Sequence, residues 1–319
     1  MIVFRLPFED QFYTINPNSL HSNSVEFHPF LEDEFLRFEG EIITLDSSEL
    51  NKFQFELPKY LGEDFISETH DEYISKIEKT IDCIKKNELQ KLVIARKKLV
   101  TFENLTVAQV LTSLKEKFPS AFVYFFNKNE NCWIGAFSEA LGIYDKKTSE
   151  FTTMSLAGTL PLEEQWTEKE IEEQKPVTSY IKSILEKYDS STKQSETYDH
   201  TSGNIKHLRT DFSLKIQENL VDNLLSELHP TPAVCGIPKE DCKEYIHQLE
   251  NFPREYYAGY SKIETADKIY SFVNLRCGRF YKNKAELYAG GGITALSNPE
   301  KEWRETELKL EALGKNLIS

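Results

Sequence analysis

The chain has 319 residues, 39% of them hydrophobic and 12% aromatic, enough for a sizeable core in one large domain or two ordinary ones. Its 52 acidic against 38 basic side chains give a net charge of −14, which repels phosphate backbones and anionic headgroups and argues against nucleic-acid or membrane-surface binding. Five scattered cysteines (Cys83, Cys132, Cys235, Cys242, Cys277) form no CxxC pair, the N-terminal MIVFRLPFEDQF turns acidic where a signal peptide would stay apolar, and no run reaches the ~18 apolar residues of a membrane span; a cytoplasmic protein without structural zinc or disulfides is expected.

Residues 1–65 alternate short β-like runs with Pro, Asn and Asp breaks, clearest at 1–8 and 35–45. A helix is expected over 69–88, opened by a Thr69/Glu72 capping box, with Ile74, Ile77, Ile81 and Ile84 on one face. Strands follow at 91–100, 121–126, 132–137 and 141–145. A second helix is expected over 168–189, capped by Thr167 and Glu170, with Pro176 inside the pattern imposing a kink or a later start. Helical patterns recur at 216–228 and 238–250, the latter opened by Pro238, and aromatic and β-branched runs return between 256 and 294. The last helix runs to about Leu313, with Asn298, Pro299 and a capping-box Glu300 at its start and Gly314 at its end. Strands and helices without a regular βαβ rhythm favour an α+β or layered α/β architecture. No internal repeat or linker marks a domain boundary.

Glu302, Glu305 and Lys309 share one face of the last helix, where two carboxylates on adjacent turns suit a hard cation such as Mg²⁺ and equally suit a solvated ion-pair face. Gly290, Gly291 and Gly292 let backbone amides approach an anion closely, or simply make a turn. Arg276 could fork onto a carboxylate. Lys91 and Glu139 sit on different strands and could serve as base and acid if buried together. His207 could donate a hydrogen bond to a substrate carbonyl, or be structural. The proline-rich 228–238 stretch makes a rigid, extended loop.

In this order, the segments KLVIAR, WIGAFSEALG, SLAGTLP, EEQKPV, HLRTDF, LHPTPAVCGIPKE, REYYAGY, VNLRCG, YAGGGI and PEKEWRETELK, from Lys91 to Lys309, resemble the chorismate-utilising enzymes, and isochorismate synthases in particular. The resemblance implies a single large chorismate-binding domain over 1–319, with stacked antiparallel sheets flanked by helices. Residues 1–65 would be a short β-rich part, and 66–319 would carry the motifs. It implies Lys91 as the base that activates water for attack on C2 of chorismate, and Glu139 as the acid that protonates the departing C4 hydroxyl. Glu173, Glu302 and Glu305 would hold Mg²⁺, which binds the ring carboxylate with help from Gly158, Thr159 and Lys309. Tyr257, Arg276 and the Gly290–Gly292 backbone would clamp the enolpyruvyl carboxylate, and His207 would face the substrate.

Lys91 and Ala233 both resemble the water-using, isochorismate-releasing members, whereas salicylate synthases resemble a threonine-bearing version at Ala233. The implied activity is therefore a Mg²⁺-dependent isochorismate synthase, an isomerase feeding menaquinone or siderophore biosynthesis, with chorismate as its only partner and a monomer as its state. The alternatives are a salicylate synthase and a non-catalytic chorismate-binding protein. Departures from the family pattern fall at Phe137-Ser138, Lys206, Lys262 and Pro176, and the N-terminal region reads as short.

Overall fold

The computed structural model describes residues 1–319 except 20–22, 32–33, 53–56, 61–66, 104–105, 203–204, 316 and 318–319; those positions of the expected β-rich 1–65 stretch therefore lie outside the described residues. The elements run β1 (Ile2–Arg5), β2 (Phe12–Asn16), β3 (Asn23–His28), β4 (Leu36–Leu45), α1 (Ser47–Lys52), α2 (His70–Asn87), β5 (Lys91–Thr101), α3 (Val107–Lys117), β6 (Phe122–Lys128), β7 (Asn131–Phe137), β8 (Ala140–Asp145) and β9 (Glu150–Pro161). They continue with α4 (Glu168–Tyr188), β10 (Lys193–Gln194), β11 (Tyr198–Ser202), β12 (Ile205–Lys215), α5 (Val221–Leu228), β13 (Gly236–Ile237), α6 (Lys239–Leu249), β14 (Tyr260–Glu264), β15 (Lys268–Val273), β16 (Cys277–Phe280), β17 (Lys284–Ile293) and α7 (Pro299–Gly314).

Pairing is antiparallel throughout and builds two sheets. The first runs β13-β5-β17-β16-β7-β6-β1-β2-β4. The second runs β4-β3-β14-β15-β8-β9-β12, with β10 and β11 both against β12. β4 belongs to both: Glu41–Leu45 pair with β2, and Leu36–Gly40 pair with β3. The changeover falls on Gly40, at φ +143°, where a Cβ would meet the Asn16 carbonyl oxygen at 2.1 Å. Only glycine takes that conformation at that approach.

The first sheet is buried on both faces, and its period-2 alternation shows it. Ile2, Phe4, Phe122, Tyr124, Phe126 and Trp133 face a core shared with Val25, Phe27, Ile263 and Phe272 of the second sheet and with α2, α4 and α5. Val3, Val123, Phe125, Ile134 and Ala136 face the opposite way, onto Val107, Val110, Leu111 and Leu114 of α3 and Leu310 and Leu313 of α7. The layered mixture of sheets and helices is as the sequence pattern anticipates.

Several local expectations change. Residues 107–117, without an expected element, form α3, whose Thr106/Gln109 capping box and i, i+3, i+4, i+7 apolar spacing are both present in the chain. α4 does not start late: it begins at Glu168, with the Thr167/Glu170 box in place, and contains Pro176. The buried face of α2 is led by Tyr73, with Ile77, Ile81 and Ile84, and Ile74 is only half-buried. α7 is capped by the Asn298 side chain, which accepts from the Lys301 N–H, while Glu300 pairs with His70 at 2.9 Å instead of closing a capping box.

Gly40→Ala is expected to lower the unfolding free energy by about 1–3 kcal/mol through backbone strain at the strand that joins the sheets. Equilibrium urea unfolding against wild type measures it.

Candidate active site

The loops that matter are pinned from a distance. Arg254 and Glu250 are both buried and paired at 2.6 Å. Arg254 donates to the carbonyls of Val234 (2.7 Å) and Val93 (2.8 Å), and Glu250 accepts from the Ala95 N–H (2.7 Å). This staple ties the proline-rich loop carrying Ala233 to β5, whose first residue is Lys91. Cys242 Sγ, 3.3 Å from the Lys91 carbonyl, holds the same end of the strand from α6.

These elements enclose a cavity of roughly 860 Å³ including its open mouth, lined by Lys91, Glu139, Gly158, Thr159, Glu173, His207, Ala233, Tyr257, Arg276, Gly290, Gly292 and Lys309. Twelve of the fifteen residues singled out from the sequence are thus brought together. Gly291, Glu302 and Glu305 are not on that wall. Period-2 alternation turns Gly291 away from its neighbours, and Glu302 and Glu305 line an adjoining cavity that shares Thr159 and Ile205 with the first. Sequence reasoning missed Leu156, Leu275 and Tyr288, which supply apolar wall. Of the departures from the family pattern, Phe137 and Ser138 touch the cavity, whereas Lys206 pairs with Asp199 (3.4 Å) and Lys262 with Asp222 (2.6 Å) outside it.

Charge is tightly interleaved here. Lys91 Nζ lies 2.9 Å from Glu173 Oε1; Lys169 lies 3.1 Å from Glu173 and 3.3 Å from Glu302; Lys309 lies 2.7 Å from Glu305 and donates to the Gly290 carbonyl at 2.9 Å. The pairing needs glycine at 292: a Cβ there would sit 2.2 Å from Glu173 Oε1 and 2.5 Å from Lys91 Cε. Lys169 was also missed, although its i, i+4 spacing to Glu173 is visible in the sequence.

Environments separate the acids. Burial pushes the Glu139 carboxyl up to about 7 against the opposing pull of Lys91, Lys309 and Arg276. Burial also pushes Glu302 up to about 7, partly countered by Lys169. Glu173 is buried as well, yet its two lysines draw it down to about 2. Burial lowers Arg276, which adopts φ +47°, to about 10, and holds His207 neutral, near 3. His207 Nδ1 lies 3.1 Å from the Gly158 carbonyl, which can only accept, so Nδ1 carries the proton and Nε2 is left as an acceptor. The Thr159 hydroxyl also lies 3.2 Å from Nδ1, and donation from Nε2 to a substrate carbonyl, as expected for His207, would need the other tautomer.

Glu173 and Glu302 converge on one cation, the Lys169 ammonium, and Glu302 Oε2 is buried without a hydrogen bond of good geometry. Hard carboxylate oxygens so arranged suit a divalent cation such as Mg²⁺. Among the described residues no three His, Cys, Asp or Glu side chains close on a single metal position, because Lys169 and Lys309 hold the carboxylates as ion pairs. No helix of the described residues is long and apolar enough to cross a membrane.

Residues 43–318 match the family model described as chorismate binding enzyme. Isochorismate synthase MenF of Bacillus subtilis is 28% identical over 264 residues, 76% of this chain and 55% of the relative. MenF of Escherichia coli is 27% identical over 254 residues, 74% of this chain and 58% of the relative. The chain thus spans little more than half the length of these curated relatives. Among solved structures, DhbC of Bacillus anthracis, titled a putative 2,3-dihydroxybenzoate-specific isochorismate synthase, superposes with a TM-score of 0.81 at 22% identity, over 99% of this chain and 95% of that one. E. coli MenF gives 0.79 at 19%, over 99% and 88%. At those identities the likeness is one of fold.

The raised Glu139 makes a stability prediction. Its folded value lies above its unfolded one, so the stability it contributes is present below about pH 4.5 and lost as pH rises through about 7. Glu139→Gln removes that loss. It is expected to be more stable than wild type at pH 8.5 by roughly 2–3 kcal/mol, with the gap closing towards pH 4.5, in denaturant unfolding across pH.

Proposed function

The chain belongs to the chorismate-binding enzymes, and from that premise we propose that it is an isochorismate synthase, adding water at C2 of chorismate with loss of the C4 hydroxyl. The observation that carries the reading is the cavity that holds Lys91 and Glu139 together with the cations Arg276 and Lys309. Chorismate is a dianion, and a protein of net charge −14 needs such a local reversal of sign to bind it.

Arg276 and the backbone at Gly290 and Gly292, with Tyr257 against them, receive the enolpyruvyl carboxylate. Glu173, Glu302 and Glu305 would hold a Mg²⁺ ion, which when bound neutralises the ring carboxylate. Gly158, Thr159 and Lys309 stand beside that end. Lys91 takes a proton from the attacking water as its oxygen bonds to C2. Both ring double bonds shift, C1=C2 to C1=C6 and C5=C6 to C4=C5, as the C4–O bond breaks, and Glu139 supplies the proton with which the C4 hydroxyl leaves as water. In the ligand-free chain Lys91 Nζ is held by Glu173 at 2.9 Å. Glu139, protonated below about pH 7, is matched to the acid role. His207 Nε2 offers a lone pair to a substrate hydroxyl. Phe137, Leu156 and Leu275 keep the site dry apart from the reacting water.

Incubation with chorismate and Mg²⁺, resolved by chromatography and mass, is expected to give an isomer of unchanged mass that fails to form with excess EDTA. Salicylate with pyruvate would move the reading to a lyase, and untouched chorismate would remove the enzyme reading. Lys91→Ala is expected to cut turnover by about 10²–10⁴-fold. The wild-type kcat/KM is expected to fall as pH rises through about 7, where Glu139 of the free enzyme loses its proton, and a kcat/KM pH profile checks that limb.

A further inference from the structure

Tyr73 is fully buried, and its hydroxyl has no hydrogen-bond partner. It is the first buried residue of α2, one position beyond the capping-box glutamate that fixes the helix start. Its ring is well held. Trp303 of α7 lies 5.7 Å away, and the Arg96 guanidinium packs over both rings, 5.5 Å from Tyr73 and 3.9 Å from Trp303. Arg96 is fixed in turn by Thr306 Oγ1 (2.8 Å) and by Glu307. Phenylalanine would satisfy every one of these contacts, so the packing leaves the hydroxyl unexplained. Burying a hydroxyl without a partner costs stability.

A second orphan lies beside it. Glu302 Oε1 is engaged by Lys169 at 3.3 Å and the Ser297 hydroxyl bears on the same carboxyl, but Oε2 is buried without a hydrogen bond of good geometry. The two orphans face one spot: a Cβ built on Gly291 would lie 3.2 Å from Glu302 Oε2 and 3.8 Å from Tyr73 Oη. The hydroxyl can donate and the carboxyl oxygen can accept, and no side chain at 291 crowds either of them because the residue is glycine.

We infer that Tyr73 is a positioning residue for Glu302, its hydroxyl donating to Oε2 directly or through one water and so turning Oε1 towards Glu173 and a divalent cation. This rests on the Mg²⁺ reading of Glu173, Glu302 and Glu305. It gives Gly291, which does not line the substrate cavity, a role of its own: it keeps the space beside donor and acceptor open. A carboxylate held by an outer hydrogen bond enters coordination already oriented, and loss of such a partner weakens metal binding without removing a ligand.

The test is Tyr73→Phe, which keeps the ring and deletes the oxygen. Mn²⁺ binding is measured by calorimetry and by loss of the free-ion electron paramagnetic resonance signal, with and without chorismate. The Mg²⁺ concentration for half-maximal turnover and the thermal midpoint are measured alongside. The expected result is a Kd for Mn²⁺ raised on the order of ten-fold, a matching rise in the Mg²⁺ half-saturation, kcat at saturating Mg²⁺ near wild type, and an unchanged thermal midpoint. Unchanged Mn²⁺ affinity in Tyr73→Phe, with or without a fall in kcat, overturns the role of Tyr73 while leaving the metal reading standing. Failure of the wild-type protein itself to bind Mn²⁺ in either condition overturns the metal reading, and this inference with it.

Discussion

Three glutamates and three lysines are packed where β5, β17, α4 and α7 meet, and the site depends on how they are interleaved. An isolated carboxylate or ammonium taken out of water costs several kcal/mol, and only close opposite charge offsets it. Glu173 between Lys91 and Lys169, Glu302 on Lys169, and Glu305 on Lys309 meet that requirement. The arrangement is possible because Gly292 has no side chain where Lys91 and Glu173 cross β17. Substitution of one member would leave a buried charge alone, so the cluster constrains all of the elements that carry it.

Within this shared desolvation, small differences in partner assign different chemistry to identical side chains. Glu173 touches two ammonium groups and stays ionised. Glu139 has cations within electrostatic range but no close partner, and is pushed towards the neutral form. The same burial keeps His207 uncharged, and the Gly158 carbonyl decides which of its nitrogens carries the proton. An ionised carboxylate, a carboxyl pushed towards its neutral form and an uncharged imidazole therefore arise from geometry more than from residue type.

The scaffold holds these groups through long-range register. β4 passes from one sheet to the other at Gly40 and so fixes how the sheets stack. The Arg254–Glu250 pair couples the loop bearing Ala233 to β5, and the order β5-β17-β16-β7 brings Lys91, Arg276 and Glu139 to the same end of the sheet, Arg276 just before β16 and Glu139 just after β7.

Much of this was legible in the amino-acid order. Capping boxes and apolar spacing define where α2 and α4 begin, and α3 carries the same signals, although they are easily passed over between β-rich neighbours. The order of short motifs from Lys91 to Lys309 points to chorismate chemistry and names most residues of the cavity wall. Local pattern could not tell Ile74 from Tyr73 as the residue that leads the buried face of α2, because both are apolar enough and one position apart; the packing of Arg96 and Trp303 decided it. Nor could it separate Gly291 from Gly290 and Gly292, place Lys169 between two glutamates on different helices, or set the tautomer of His207. Helical and strand periods act over a few residues and are written in the chain. Contacts between positions more than a hundred residues apart depend on sheet register and helix docking, and those were settled only when the two sheets closed around the site.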